Sequence, residues 1–136
     1  MRYPAYVLAA GLSLLLATAG EAADFDGSKP FLCATTDVAS CVPAQDCQRE
    51  STGSVNAPQF FIVDVGKMTV SDAGPGSSGR SSRIDHVHHQ AGLMLLTGTE
   101  GVSGWVASIG ETSGKLSYAV VGERNSVVTF GACTVQ

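Results

Sequence analysis

The sequence predicts an all-β protein, a small antiparallel up-and-down barrel or strongly curled sheet of about eight strands held by disulfide bonds. Three observations lead to this fold class. Short runs rich in β-branched and aromatic residues recur along the chain, with Gly, Ser, Asn and Asp between them. The breaks come too often for a helix of ordinary length. The chain also has 4 cysteines, an even number that suits a disulfide-bonded domain.

Composition limits the size of the protein and its partners. A chain of 136 residues is one domain at most, and it is long enough to bury a core. The formal net charge is -4, and no run of basic residues occurs. Because the phosphates of nucleic acid call for a clustered basic surface, we expect no nucleic-acid partner.

Residues 1–23 have the features of a secretory signal peptide. Arg2 provides a short positive start, residues 7–16 are apolar and uncharged, and small residues follow over 17–23. The apolar stretch is shorter than the ~20 residues of a transmembrane helix. We therefore predict cleavage before a single β-barrel-like domain over residues 24–136. The mature chain is expected to be periplasmic or secreted, without a membrane span.

The spacing of the cysteines favours one of the three pairings that four cysteines allow. Cys41 and Cys47 bracket Val-Pro-Ala-Gln-Asp, a loop short enough to close locally, which leaves Cys33 to bond Cys133. Cysteines of an exported chain meet an oxidising compartment and tend to pair. A zinc-thiolate site is the alternative, but no Cys-x-x-Cys pair is present. A Cys33–Cys133 bond would tie the chain ends together and close the sheet.

The strands are expected in order along the chain. An opening strand over residues 30–35 precedes strands over 59–65 and 67–71, which are joined by a tight link. Residues 72–82 are rich in Gly, Ser and Pro and predict a mobile surface loop. The remaining strands are expected over residues 83–90, 93–98, 105–111, 115–122 and 126–132, with a turn at Ala91 and Gly92.

The larger apolar residues of these strands form the expected core. Short links favour antiparallel neighbours in a meander, which closes if its ends meet. A single bulge would exchange the inner and outer faces of a strand, so the face of each residue stays open. The residues expected to contribute to the core are Phe60, Phe61, Ile62, Val63, Leu93, Leu95, Trp105, Ile109, Tyr118, Val120, Val128 and Phe130.

The three histidines lie together, and two of them have the spacing of metal ligands. On a strand, His86 and His88 share a face with Cα atoms ~6.6 Å apart, from which two imidazoles can bind one zinc or copper ion. His89 points to the other face. The third ligand would come from Asp64, Asp85 or Glu100. The alternatives are an exposed polar strand face and a cluster that becomes charged in mild acid; apart from zinc or copper, we expect no cofactor.

A second candidate site is the segment that contains Ser113, Gly114, Lys115 and Tyr118. It looks like the Ser-Gly-x-x-Tyr loop by which periplasmic inhibitors of C-type lysozyme, small disulfide-bearing β-barrels, plug the cleft of the enzyme. Here the Tyr comes one residue late, which turns Tyr118 to the opposite face of a strand that begins at Lys115. The alternative is a plain hairpin turn with Gly114 in the left-handed conformation.

Signatures of catalysis are missing from the sequence. It has no Gly-x-Ser-x-Gly elbow, no His-Glu-x-x-His, no Gly-x-x-x-x-Gly-Lys-Ser/Thr and no dinucleotide-type glycine fingerprint before a helix. Paired cysteines would offer no thiol nucleophile. The lone tryptophan, Trp105, is interpreted as a core anchor, with a ligand platform as the alternative. We therefore expect a non-enzymatic protein.

From Phe25 onward the chain resembles small exported bacterial β-proteins to which no activity is assigned. The segments that carry the resemblance are residues 25–33, Cys41, Cys47 and residues 57–60, 95–100, 104–105, 112–115 and 130–134. The resemblance covers nearly the whole mature chain and implies an intact exported domain, but it transfers no catalytic residue. The histidines lie outside the pattern. The expected function is that of a binding or interaction module of the bacterial cell envelope, with an envelope protein or a small ligand as partner and the oligomeric state left open.

Overall fold

Ten antiparallel strands form one strongly curled sheet in the computed structural model, which describes residues 24–135. These residues contain no helix, and so none that is long and apolar enough to cross a membrane. The predicted signal peptide, residues 1–23, lies outside the described residues. The strands are β1 (Phe31–Cys41), β2 (Gln48–Glu50), β3 (Phe60–Asp64), β4 (Thr69–Ala73), β5 (Ser81–Arg83), β6 (His86–Gln90), β7 (Leu93–Glu100), β8 (Ser103–Gly110), β9 (Lys115–Val121) and β10 (Ser126–Val135). The all-β fold class is confirmed.

The two ends of the described chain meet in the middle of the sheet. The strand order is β5-β4-β3-β1-β10-β9-β8-β7-β6, and β2 pairs with the second half of β1. Every other pairing joins strands that are close in sequence, whereas β1 pairs with β10 along most of its length. The curled sheet therefore depends on this one long-range pairing, and its two edges are β5 and β6.

The two edges approach each other because β5 and β6 are one segment of chain that bends at Ile84 and Asp85. β5 pairs with β4, and β6 pairs with β7. At the bend, the Ile84 amide donates to the Met68 carbonyl at 2.9 Å, and the Asp85 amide donates to the Thr97 carbonyl at 2.8 Å. With β5 and β6 taken as one strand and the short β2 left out, the ring has about eight strands, as expected.

Both cysteine pairs lie at disulfide distance, in the pairing that the spacing favours. Cys33 lies directly opposite Cys133 in the β1–β10 register, with their Cα atoms 3.9 Å apart. Cys41 and Cys47 close the connection between β1 and β2. No cysteine of residues 24–135 is left free. Paired cysteines of this kind are typical of proteins that fold in an oxidising compartment.

The core is densest at the end of the barrel where β1 begins and β10 ends. Phe25 crosses this end ahead of β1 and packs edge-to-face on Phe31, with ring centroids 5.5 Å apart. The Phe25 amide donates to the Glu111 carbonyl at 3.0 Å, which anchors the segment. We call this the closed end. The buried core residues are Phe25, Phe31, Cys33, Phe61, Val63, Ile84, Met94, Leu96, Ala107, Ile109 and Leu116.

The predicted core is correct in part. Phe61, Val63 and Ile109 are buried, but Leu93 is 42% exposed and Phe130 is 50% exposed. On β7 the sequence is apolar at four consecutive positions, so alternation could not show which pair faces inward. The expected core residues that lie on the outer face instead are Phe60, Ile62, Leu93, Leu95, Val128 and Phe130.

The segment predicted as a mobile loop over residues 72–82 is largely a hairpin. β4 extends to Ala73 and β5 begins at Ser81, so the loop itself is shorter than expected. The Asp72 amide donates to the Arg80 carbonyl at 2.9 Å across its base. The Gly- and Ser-rich residues lie mainly at the tip of this hairpin. At its base, β4 is held by backbone pairing with β3.

Removing the Cys33–Cys133 bond is expected to cost more stability than removing the Cys41–Cys47 bond. The sequence separations are 100 and 6, for which the chain-entropy model gives about 4–5 and about 2 kcal/mol. Urea unfolding of Cys33→Ala/Cys133→Ala and of Cys41→Ala/Cys47→Ala measures both losses. Equal losses would contradict the view that the bond between the chain ends is the main covalent constraint.

Candidate ligand cavity

A cavity of about 380 Å³ lies inside the barrel, in the half away from the closed end. Residues from β3, β4, β7, β8, β9 and β10 form its wall, and the chain around residues 55–58 lies at its opening. Small-molecule sites typically have volumes of about 300–1,000 Å³ and mostly apolar walls. The cavity is therefore large enough to be a binding site.

Several of the inward positions around the cavity carry small side chains. Val70, Ala107, Val120 and Val127 line it, whereas Phe31 and other large residues fill the closed end. A barrel of about eight strands is just wide enough for side chains to fill or for one small ligand to occupy. The cavity in this barrel corresponds to room for one small ligand.

Polar side chains surround the mouth of the cavity and are paired with one another. The Arg80 Nε atom lies 3.4 Å from Asp72 Oδ2, and Arg80 Nη2 donates to the Asn56 carbonyl at 2.9 Å. The Ser82 hydroxyl donates to Glu100 Oε2 at 2.6 Å. The cavity thus combines an apolar interior with a polar mouth.

Three buried side-chain polar atoms of residues 24–135 have no hydrogen-bond partner in the protein: Trp105 Nε1, Tyr118 OH and Thr129 Oγ1. Trp105 and Tyr118 line the cavity, and Thr129, which is fully buried, lies opposite Tyr118 in the β9–β10 register. Trp105 lies opposite Val120, two positions from Tyr118. These three side chains form a diagonal row across β8, β9 and β10, which we call the polar row.

Tyr118 is fixed in place by packing and lies in a weakly polar setting. Its ring meets Phe61 edge-to-face, with centroids 5.7 Å apart. Burial raises the pKa of Tyr118 above the ordinary value of 10.0, and the charge of Asp72 adds to the rise, whereas the nearby hydroxyls of Thr129 and Thr35 and the charge of Arg80 oppose it. Neither hydroxyl meets hydrogen-bond geometry with the phenol, and the Thr35 hydroxyl donates to the Pro58 carbonyl at 2.9 Å instead.

Gly98 on β7 makes room for the Trp105 side chain. The two residues are cross-strand partners between β7 and β8. A Cβ atom at Gly98 would lie 2.4 Å from Trp105 Cζ2 and 2.4 Å from the Arg83 carbonyl. Since real Cβ atoms do not approach other heavy atoms so closely, glycine is required for the observed position of the indole.

The predicted histidine site is divided between two faces of β6. His86 and His88 are exposed on the outer face, and His89 lies on the other face, where its Nδ1 atom is 2.5 Å from Glu111 Oε1. Residues 24–135 contain no group of three His, Cys, Asp or Glu side chains that could hold a metal ion. The three acidic residues considered as third ligands have other partners: Asp64 pairs with Lys67, Asp85 with Arg83 and Glu100 with Ser82. Zinc or copper binding stays a prediction.

The segment that looks like an inhibitor loop does not form one exposed surface. Ser113 and Lys115 are exposed at the closed end, and Gly114 between them is buried with φ +64°. Tyr118 lies on the inner face of β9, in the cavity wall. The structure therefore does not bring Ser113 and Tyr118 together, and the inhibition of lysozyme stays a prediction without an observation in its favour.

Sequence reasoning missed the polar row and the paired groups at the mouth. A threonine within a strand is ordinary and gives no signal of a site, and Arg80 lies in a Gly- and Ser-rich stretch that predicts a loop. One signal could have found Thr129. Cys133 must face Cys33 across the sheet, so residues an even number of positions before Cys133 share its face, and Thr129 is one of them.

Comparison with known proteins adds no family to these observations. Family models, curated proteins and solved structures give no match to the chain. The cavity, the polar row and the mouth are therefore the features that indicate a function.

The Gly98→Ala variant is expected to lose about 1–3 kcal/mol of unfolding free energy, because the added methyl group displaces the indole or the Arg83 backbone. Trp105 is the only tryptophan of the chain, so its emission spectrum reports the displacement directly. Gly104→Ala is the matched control, since a Cβ there meets nothing closer than 3.8 Å. Equal stability of the two variants would contradict the packing described.

The phenol of Tyr118 is expected to ionise above pH 10, because burial raises its pKa. The unfolded chain loses this proton near pH 10, so the contribution to folding stability is fully present below pH 10 and is lost as the pH rises through the pKa of the folded state. The difference in phenolate absorbance between the wild type and Tyr118→Phe measures the titration. A midpoint at or below pH 10 would contradict the burial.

Proposed function

We propose that this protein is an exported, non-enzymatic module of the cell envelope that binds one small, mostly apolar molecule inside its barrel. The observation that carries the proposal is the cavity of about 380 Å³ in the barrel interior. The two disulfides suit an exported protein. A binding role also agrees with the absence of catalytic motifs from the sequence.

The size of the cavity indicates the size of the ligand. A cavity of about 150 Å³ lined by apolar side chains can hold benzene. The cavity in this barrel is more than twice that volume, so it accommodates a body of two fused rings or an aliphatic chain of similar bulk. A macromolecule would not fit, and only a flexible end of one could enter.

The composition of the wall indicates what drives binding. Val70, Val120 and Val127 present apolar surface to the interior. Burying apolar ligand surface against such a wall contributes roughly 25 cal/mol per Å². The ion pair of Asp72 and Arg80 lies at the mouth, where a polar end of the ligand can remain in contact with water.

A pair of neighbouring valines on β9 allows a direct test. Val120 faces the cavity, and Val121 is 50% exposed on the outer face. Val120→Phe is expected to fill the site and weaken binding of 2-isopropylnaphthalene about tenfold or more, whereas Val121→Phe leaves it unchanged. Isothermal titration calorimetry measures both, with thermal melts to show that the variants are folded. Equal affinity of the two variants, or no binding to the wild type, would reject the proposal.

A further inference from the structure

We infer that the molecule bound in the cavity is uncharged and carries a hydrogen-bond acceptor at its buried end, which the Trp105 indole N–H and the Tyr118 hydroxyl engage. The inference rests on the proposed function, because it names the chemical class of the ligand that the same cavity takes. It is carried by the polar row and by the placement of charge around the cavity.

The polar row is an exception to the way proteins treat buried polar groups. More than about 90% of such groups have a hydrogen-bond partner, and an unpaired one costs on the order of 1–3 kcal/mol. Here the three unpartnered atoms of residues 24–135 lie side by side on neighbouring strands, and Thr129 is fully buried. Trp105 and Tyr118 both line the cavity, which indicates a common partner for these two inside it, and Thr129 lies opposite Tyr118 on the neighbouring strand.

The chemistry of the row determines what this partner must offer. The indole N–H of Trp105 can only donate, whereas the hydroxyls of Tyr118 and Thr129 can donate or accept. A ligand group that only donates would leave the indole unpaired. A carbonyl, ester, amide or ether oxygen accepts from the indole and has a second lone pair for the Tyr118 hydroxyl.

The register places the two donors within reach of one ligand group. Trp105 and Tyr118 are diagonal neighbours on the inner face of β8 and β9. Diagonal neighbours in antiparallel strands are about 7–8 Å apart at Cα, a separation that aromatic side chains span. Thr129 adds a hydroxyl opposite Tyr118.

The distribution of charge argues for an uncharged ligand. Among the described residues that line the cavity, the only cationic side chain is Arg80, which lies at the mouth and is paired with Asp72. A carboxylate beside Trp105 would be buried without a cation, and burying an unpaired charge is costly. A buried amine would likewise lack a carboxylate, because Asp72 and Glu100 lie at the mouth.

Three naphthalenes of similar shape separate these alternatives. We expect 2-acetylnaphthalene, a neutral ketone, to bind the wild-type protein about tenfold more tightly than 2-isopropylnaphthalene, which lacks the oxygen. The anion 2-naphthoate is expected to bind more weakly than the ketone by at least the same factor. Isothermal titration calorimetry at one pH and salt concentration gives the three affinities.

Two variants connect the preference to the polar row. Tyr118→Phe keeps the ring and removes the hydroxyl, so it is expected to lower the affinity for the ketone several-fold more than the affinity for the hydrocarbon. Thr129→Val is expected to have a smaller effect in the same direction. Neither variant is expected to lower the melting temperature, because each removes a hydroxyl that has no partner in the protein. Removal of a hydroxyl with a merely structural role would lower the melting temperature.

Ser117→Ala is the control for loss of a hydroxyl on the outer face of β9.

The outcomes separate this inference from the proposed function. If the ketone and the hydrocarbon bind equally, or if naphthoate binds most tightly, the inference is overturned while ligand binding in the cavity stands. If none of the three compounds binds the wild type, both are rejected. A ketone preference that survives in Tyr118→Phe and in Trp105→Phe would also overturn it, since the donors would then lie elsewhere.

Discussion

The pairing of β1 with β10 joins the two ends of the described chain, and the rest of the barrel depends on it. All other strand pairs join strands that are consecutive or next but one along the chain. A long-range pairing has to overcome a larger loss of chain entropy, which the Cys33–Cys133 bond offsets by restricting the unfolded chain. Once β1 and β10 are joined, the bend at Ile84 and Asp85 brings the outer strands together. Without that junction the sheet would be open and would enclose nothing.

Closure creates an interior that the chain fills unevenly. Phe25 and Phe31 occupy one end, and a cavity of about 380 Å³ remains at the other. The same arrangement places the polar row in the open half, where water or a ligand is the only source of hydrogen bonds beyond the protein. A glycine opposite Trp105 keeps the indole against the wall. These features have a stability cost in the unliganded protein, which is typical of sites built for binding rather than for packing.

Much of the fold could be predicted from the sequence, because strands, turns and cysteine spacing are local signals. The face of each strand that points into the barrel could not be predicted, and the reasons differ between strands. Residues 93–96 are apolar on both faces, so alternation carries no information. In β1 the register shifts between Thr35 and Asp37, and the bulge changes which positions face the interior. The cavity could not be predicted for a further reason. Its volume depends on how side chains from several strands pack together, and no short segment of sequence indicates that volume.

The central claim is that the polar row faces a ligand, and the signal of the lone indole N–H tests it most directly. Trp105 gives a single indole peak in a proton–nitrogen correlation spectrum, because the chain has one tryptophan. Titration with 2-acetylnaphthalene is expected to shift this peak downfield and to slow its exchange with solvent, as a new hydrogen bond at Nε1 requires. An indole peak that stays in place while amides of the outer face move would place the ligand outside the barrel and contradict the account.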